Sequence, residues 1–276
     1  MQRRETLQVC SDGRSLRRGT PILELRDVGF AYGAATPVFE NVSFEIAERE
    51  IVCLLGSSGC GKSTLLCMAA RLGSPEGTPT KGEVTMAGNT LYSPDAQAAT
   101  TFQHPALLPR LTSRRHVAFG LDSGRGGARM RRRSITVSRP HCRPWASGIK
   151  ARIIPRQLAG GMAQRAALAQ ALPREPKLLM ADEPFSAPVC DHAIRHAGDT
   201  HPARPSLAPV APRRTLVSHD IDEAISVGDR TLLMSGRPGR IVKSCQVEIA
   251  SPREKHLEAV TVLSFQVLAT LHAARL

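Results

Sequence analysis

Residues 51–64 read Ile51-Val-Cys-Leu-Leu-Gly-Ser-Ser-Gly-Cys-Gly-Lys-Ser-Thr64, and this stretch decides the fold. Five consecutive apolar residues, 51–55, describe a strand buried on both faces, as in a parallel sheet. The strand runs into a glycine loop of the form GxxxxGK[ST], and a helix follows. Glycines there let backbone amides close around phosphate oxygens, and the helix amino terminus adds its positive end. Gly56, Ser57, Ser58, Gly59, Cys60, Gly61, Lys62, Ser63 and Thr64 are therefore the candidate phosphate cradle. Within it Lys62 is expected to reach the β- and γ-phosphates and Ser63 to ligate Mg²⁺.

Working outward, Leu65, Met68, Ala69 and Leu72 follow at helical spacing. Before the loop, residues 22–33 and 38–47 read as strands, the second with Val42, Phe44 and Ile46 alternating against Ser43 and Glu45. Antiparallel pairing is expected between them. After the loop, two apolar runs, 178–181 and 215–217, end in acidic or histidine residues. Strands that deliver polar groups at their carboxyl ends are where open α/β sheets place ligands. Residues 232–235 and 241–249 read as a short strand pair about a turn at Arg237, Pro238 and Gly239. From Glu254 onward, Leu257, Val260, Leu263, Val267, Leu268 and Leu271 mark one face of a closing helix.

The chain has 276 residues and a formal net charge of +13, with arginines crowding the first twenty positions and residues 125–133. Such runs repel themselves and stay extended. The seven cysteines include no CxxC pair, so neither a zinc site nor a disulfide framework is expected. No apolar run approaches the roughly 20 residues that span a bilayer, and the basic amino terminus lacks the apolar core of a signal peptide.

The run ending in Asp182-Glu183 places two carboxylates after a buried strand. Following a phosphate loop, Asp182 is expected to hold the Mg²⁺ shell, and Glu183 to orient and deprotonate the attacking water.

Further motifs make the chain resemble the ATP-binding cassette (ABC) ATPases, from about residue 22 to about residue 249. Leu158-Ala-Gly-Gly-Met-Ala-Gln-Arg165 is similar to that family's signature loop, which places Ala159, Gly160 and Gly161 against the nucleotide of an opposite subunit. Thr101-Phe-Gln103-His-Pro-Ala-Leu-Leu-Pro resembles its glutamine loop, and Val217-Ser-His219-Asp-Ile-Asp-Glu-Ala its histidine switch. The resemblance assigns Gln103 to Mg²⁺, the catalytic water and the permease, and His219 to the γ-phosphate. Tyr32 stands where the family stacks an aromatic on adenine. Phrases such as FQHPALLP and SHDIDEA look like the subgroup of nitrate, sulfonate and taurine importers.

The resemblance implies an α/β fold: a P-loop NTPase core with a mainly parallel sheet, an antiparallel β layer and a degraded helical subdomain at about 105–175. The domain reading is a disordered basic tail over 1–20, an ABC-type ATP-binding domain over 21–250 and a carboxyl-terminal helix over 251–276. It further implies Mg²⁺-dependent ATP hydrolysis that energises solute import. The implied partners are an integral membrane permease, a second ATP-binding subunit in a head-to-tail dimer and, indirectly, a periplasmic or extracellular solute-binding protein. The implied location is peripheral, on the cytoplasmic face of the plasma (inner) membrane, and nucleic acid is not an expected partner.

Departures from the family keep alternatives open. Ala159 replaces the signature serine, Pro188 and Val189 replace a leucine and an aspartate, and Arg49 and Arg71 stand where the family has glycine. The first three favour a hydrolysis-impaired or regulatory ATP-binding paralogue, while the net charge alone favours an ATPase acting on nucleic acid. Residues 122–156 hold nine arginines and three prolines, and residues 187–213 hold five prolines, where the family is helical. Interior proline costs a helix about 3 kcal/mol, so long helices are not expected there. Compensating frameshifts in the coding DNA would produce this pattern, since the flanking motifs stay in register.

Overall fold

The computed structural model describes residues 9–10, 21–33, 36–48, 50–72, 79, 81–104, 106–113, 115–116, 153–158, 160–171, 176–182, 213–217, 220–250 and 253–274. Most of the two irregular segments, with Glu183, Ala159 and His219, lies outside the described residues. The chain divides into two compact units, Met1–Asp95 with Arg213–Leu276, and Ala96–Pro212.

The first unit begins with β1 (Val9–Cys10), β2 (Leu23–Phe30), β3 (Phe39–Ile46), β4 (Ile51–Gly56), α1 (Lys62–Ala69), β5 (Lys81–Met86) and β6 (Asn89–Thr90). The second unit carries β7 (Ala98–Thr101), α2 (Gly160–Ala171) and β8 (Leu178–Asp182). The first unit resumes with β9 (Arg213–Val217), α3 (Ile221–Val227), β10 (Arg230–Ser235), β11 (Arg240–Gln246) and α4 (Leu257–Ala273).

In the first unit β4 pairs in parallel with β10 on one side and with β9 on the other. Val52, Cys53, Leu54 and Leu55 are buried, as a central parallel strand requires. β11 returns antiparallel on β10, and Val9–Cys10 pairs antiparallel with β11, so these two tail residues form an edge strand. The second sheet is antiparallel, in the order β3-β2-β5-β6. Val42, Phe44 and Ile46 of β3 are buried, in line with their alternation in the sequence. Each large apolar side chain taken from water in this way contributes about 1.5–3 kcal/mol.

The hairpin β5–β6 and the strand β7 were not legible as elements in the sequence. Ala87 and Gly88, at φ 50° and 81°, make the two-residue turn that suits the twist of a hairpin. Val84 and Met86 point from β5 into the core.

Two helices depart from expectation in detail. α1 ends at Ala69, before Leu72, and Arg71 turns the chain with φ +54°. α4 buries Val260, Leu263, Val267 and Leu271, whereas Leu257 and Leu268 are 67% and 41% exposed. At about 100° per residue those two fall on the flank of the buried stripe. No helix among the described residues is long and apolar enough to cross a membrane.

A buried ion pair joins the turn before β4 to the start of β10. Arg230 Nε donates to Glu50 Oε1 at 2.8 Å, and Glu50 Oε2 accepts from the Ala47 amide at 2.8 Å. Arg230 also donates to the Glu45 carbonyl, so both buried charges are hydrogen-bonded.

In the second unit β7 and β8 pair in parallel, and β8 is buried throughout. A short 3-10 turn, Pro155–Gln157, precedes α2.

Candidate functional site

The phosphate loop is the connection from β4 to α1, and its conformation depends on glycine at particular points. Gly59 and Gly61 have φ +78° and +98°, a region that costs other residues roughly 1–2 kcal/mol. Gly61 is the residue that caps α1, and its carbonyl accepts from the Leu65 amide at 2.8 Å. Gly56 has no room for a side chain, because a Cβ there would overlap the Met234 carbonyl of β10.

Lys62 folds back over the loop, with Nζ donating to the carbonyls of Gly56 and Ser57 at 2.9 Å each. The ammonium therefore sits within the curl of backbone rather than in solvent. Ser63 is exposed at the start of α1 and Thr64 is half-buried. An ammonium, glycine amides at a helix amino terminus and a serine hydroxyl together suit a nucleotide polyphosphate and its Mg²⁺.

Tyr32 belongs to the same unit. Its ring stands edge-on to Phe30 at 4.8 Å, and Phe30 stacks on Phe39 at 5.9 Å. Phe39 in turn lies against Gly61, where a Cβ would come within 3.3 Å of its ring. Tyr32 is 56% exposed and ends this aromatic row.

The other candidates fall in the second unit or outside the described residues. Gln103 follows β7 and is exposed. Asp182 ends β8 and is 7% exposed, the position expected of a carboxylate delivered by a central strand. Gly160 and Gly161 open α2, so the signature-like loop leads into a helix amino terminus. In the first unit Asp220 caps α3, its Oδ1 accepting from the amides of Asp222 at 2.9 Å and Glu223 at 3.1 Å.

One part of the site is not legible in the sequence, where Arg237, Pro238 and Gly239 read only as a turn. The Gly239 amide donates to the Val38 carbonyl at 2.9 Å, and its carbonyl accepts from the Glu40 amide at 3.0 Å. A Cβ on Gly239 would overlap the Cys60 carbonyl, and one on Gly59 would lie 2.7 Å from Arg237 Nη2. The turn after β10 thus backs the phosphate loop. The available signal was its place at the carboxyl end of a parallel strand, the edge where such sheets bind ligands.

The ABC transporter family profile matches residues 39–186. The chain is 40% identical to the aliphatic sulfonates import ATP-binding protein SsuB 2 of Burkholderia lata, over 90% of this chain and 86% of that protein. It is 35% identical to SsuB 1 of Pseudomonas aeruginosa, over 92% of this chain and 98% of that one. Among solved structures, the ATP-binding cassette MJ0796, a dimer in a post-hydrolysis state with ADP and phosphate, aligns with TM-score 0.65 and 25% identity. That alignment covers 82% of this chain and 99% of the cassette. By the family profile and these relatives, the chain belongs to the ABC transporter family and is one of its ATP-binding subunits.

Proposed function

We propose that this subunit hydrolyses ATP with Mg²⁺ to energise solute import through a separate permease, peripherally on the cytoplasmic face of the plasma membrane. The observation that carries the reading is Lys62, held in the glycine loop by two backbone carbonyls and poised to exchange them for phosphate oxygens. The ammonium then neutralises β- and γ-phosphate charge while the loop amides hold the oxygens. Mg²⁺, held by Ser63, Asp182 and Gln103, would supply further neutralisation of the transferring phosphoryl group. Glu183 takes the proton of the attacking water, His219 donates to the γ-phosphate, and Tyr32 stacks on the base.

A head-to-tail pair of subunits places Gly160, Gly161 and Ala159 of one against the nucleotide of the other, and a solute-binding protein delivers cargo to the permease. Aliphatic sulfonates are the first solutes to assay, because the SsuB relatives are aliphatic sulfonates import ATP-binding proteins. Lys62→Ala should abolish ATP binding, and the wild-type chain should co-purify with an integral membrane protein encoded beside it. Near-normal ATP affinity in Lys62→Ala, or DNA-stimulated turnover without any permease, would sink this reading.

A hydrolysis-impaired paralogue is the second reading, favoured by Ala159, Pro188 and Val189. Equal turnover in wild type and Glu183→Gln, with ATP still bound, would select it.

A further inference from the structure

We propose that Arg237 is a second side-chain cation for the nucleotide's phosphates, presented to the phosphate loop by the turn that follows β10. The inference rests on residues 56–64 being the nucleotide site, and adds a residue far from them in sequence.

Three observations carry it. The first is placement: a Cβ on Gly59 would meet Arg237 Nη2 at 2.7 Å, Cζ at 3.6 Å and Nε at 3.9 Å. The guanidinium therefore lies along the bare face of Gly59, where no side chain screens it from the loop. The second is anchorage, since Gly239 is tied to Val38 and Glu40 by backbone hydrogen bonds and packs on Cys60. A fixed turn holds the base of the Arg237 side chain beside the loop.

The third is that, among the described residues, this guanidinium is uncommitted. In the same unit Arg26 pairs with Glu24, Arg230 with Glu50 and Arg240 with Glu40, while Arg253 donates to the carbonyls of Ile225 and Gly228. Arg237 makes no hydrogen bond or ion pair among the described residues, and it is exposed. An exposed guanidinium beside a loop that already holds Lys62 concentrates positive charge, which an anion would relieve. Its planar fork suits two oxygens of a phosphate, a geometry that the lysine point charge does not supply. The ligand class is a nucleoside di- or triphosphate, whose terminal phosphates extend into the loop.

The test is equilibrium binding of ATP, ADP and AMP to the full chain as wild type, Arg237→Ala, Arg237→Lys and Lys62→Ala, with thermal unfolding of each. Arg237→Ala should weaken ATP and ADP about tenfold, leave AMP nearly unchanged and keep its unfolding temperature. Arg237→Lys should recover part of the loss. Unchanged ATP affinity in Arg237→Ala would overturn the proposal, as would equal weakening of all three nucleotides, the mark of a loop merely loosened. If Lys62→Ala loses binding while Arg237→Ala does not, only this proposal fails. If neither loses binding, the nucleotide site itself is misassigned.

Discussion

Gly239 packs directly on Cys60: a Cβ on the glycine would overlap the cysteine's carbonyl oxygen. The turn between β10 and β11 is thereby a wall of the phosphate loop, and the loop's shape depends on a residue remote from its motif. Gly239→Ala should lower unfolding stability by about 1–3 kcal/mol, the cost of overpacking, and weaken ATP binding as the loop shifts. Gly88→Ala is the control, since Gly88 has φ +81° with open space around it and lies in the β5–β6 turn. That change should cost about 1 kcal/mol and leave ATP affinity alone. Equal ATP affinity in both variants would contradict the wall.

Glu50 and Arg230 are a second long-range tie, with side chains 1% and 0% exposed. Glu50→Ala leaves a guanidinium buried without its carboxylate and should cost about 3–5 kcal/mol. Replacing both, Glu50→Ala with Arg230→Met, should recover much of that loss. Denaturant midpoints of the two variants measure it, and a single variant no less stable than the double would refute the account.

Arg71 adopts φ +54°, and its Nε is buried without a hydrogen-bond partner. Both features cost free energy that glycine would not incur. Arg71→Gly should raise stability by about 1 kcal/mol, seen as a higher melting temperature. A lower one would show that packing of the arginine stem outweighs the strain.

Burial pushes the Cys53 thiol up from its ordinary 9.0 to about 12. The folded chain then keeps this proton where the unfolded chain loses it, so stability is complete below pH 9 and falls between about 9 and 12. The slope is about 1.4 kcal/mol per pH unit for one thiol. Burial raises Cys245 in the same direction. Unfolding measured from pH 8.5 to 11 should fall less steeply in Cys53→Ala than in wild type. Parallel curves would exclude the thiol as a source.

In the head-to-tail pair proposed above, Ala159 lacks the hydroxyl that a serine there would donate to the partner's γ-phosphate. A hydrogen bond to a charged group contributes roughly 1.5–3 kcal/mol, so ATP-driven pairing should be weakened by about ten- to a hundredfold. Ala159→Ser should raise turnover without changing the affinity of a single subunit. A companion chain restoring leucine and aspartate at Pro188 and Val189 shows whether the crossing loop limits that gain. No change in either background would mean that the two glycine amides suffice.

The phosphate loop, α1, the alternation of β3 and the apolar runs of β8 and β9 were all legible in the sequence. Each is set by neighbours in the chain: glycine conformational freedom, a period of 2 or 3.6, or a continuous apolar run. The positions of Lys62, Ser63 and Asp182 on their elements followed from the same local rules. The hairpin β5–β6 was missed because its signal is short, two alternating core residues and a two-residue turn.

What only the tertiary structure decided is which remote residues meet. The parallel pairing of β10 with β4 brings Met234 beside Gly56, and it is this register that sets Gly239 on Cys60 and Arg237 over Gly59. The burial of Glu50 with Arg230 is of the same kind. Sequence determined the cradle because its chemistry is carried by contiguous backbone. Its wall and its second cation required the fold, because strand register is fixed by the burial of whole faces and leaves no mark at the residues it brings together.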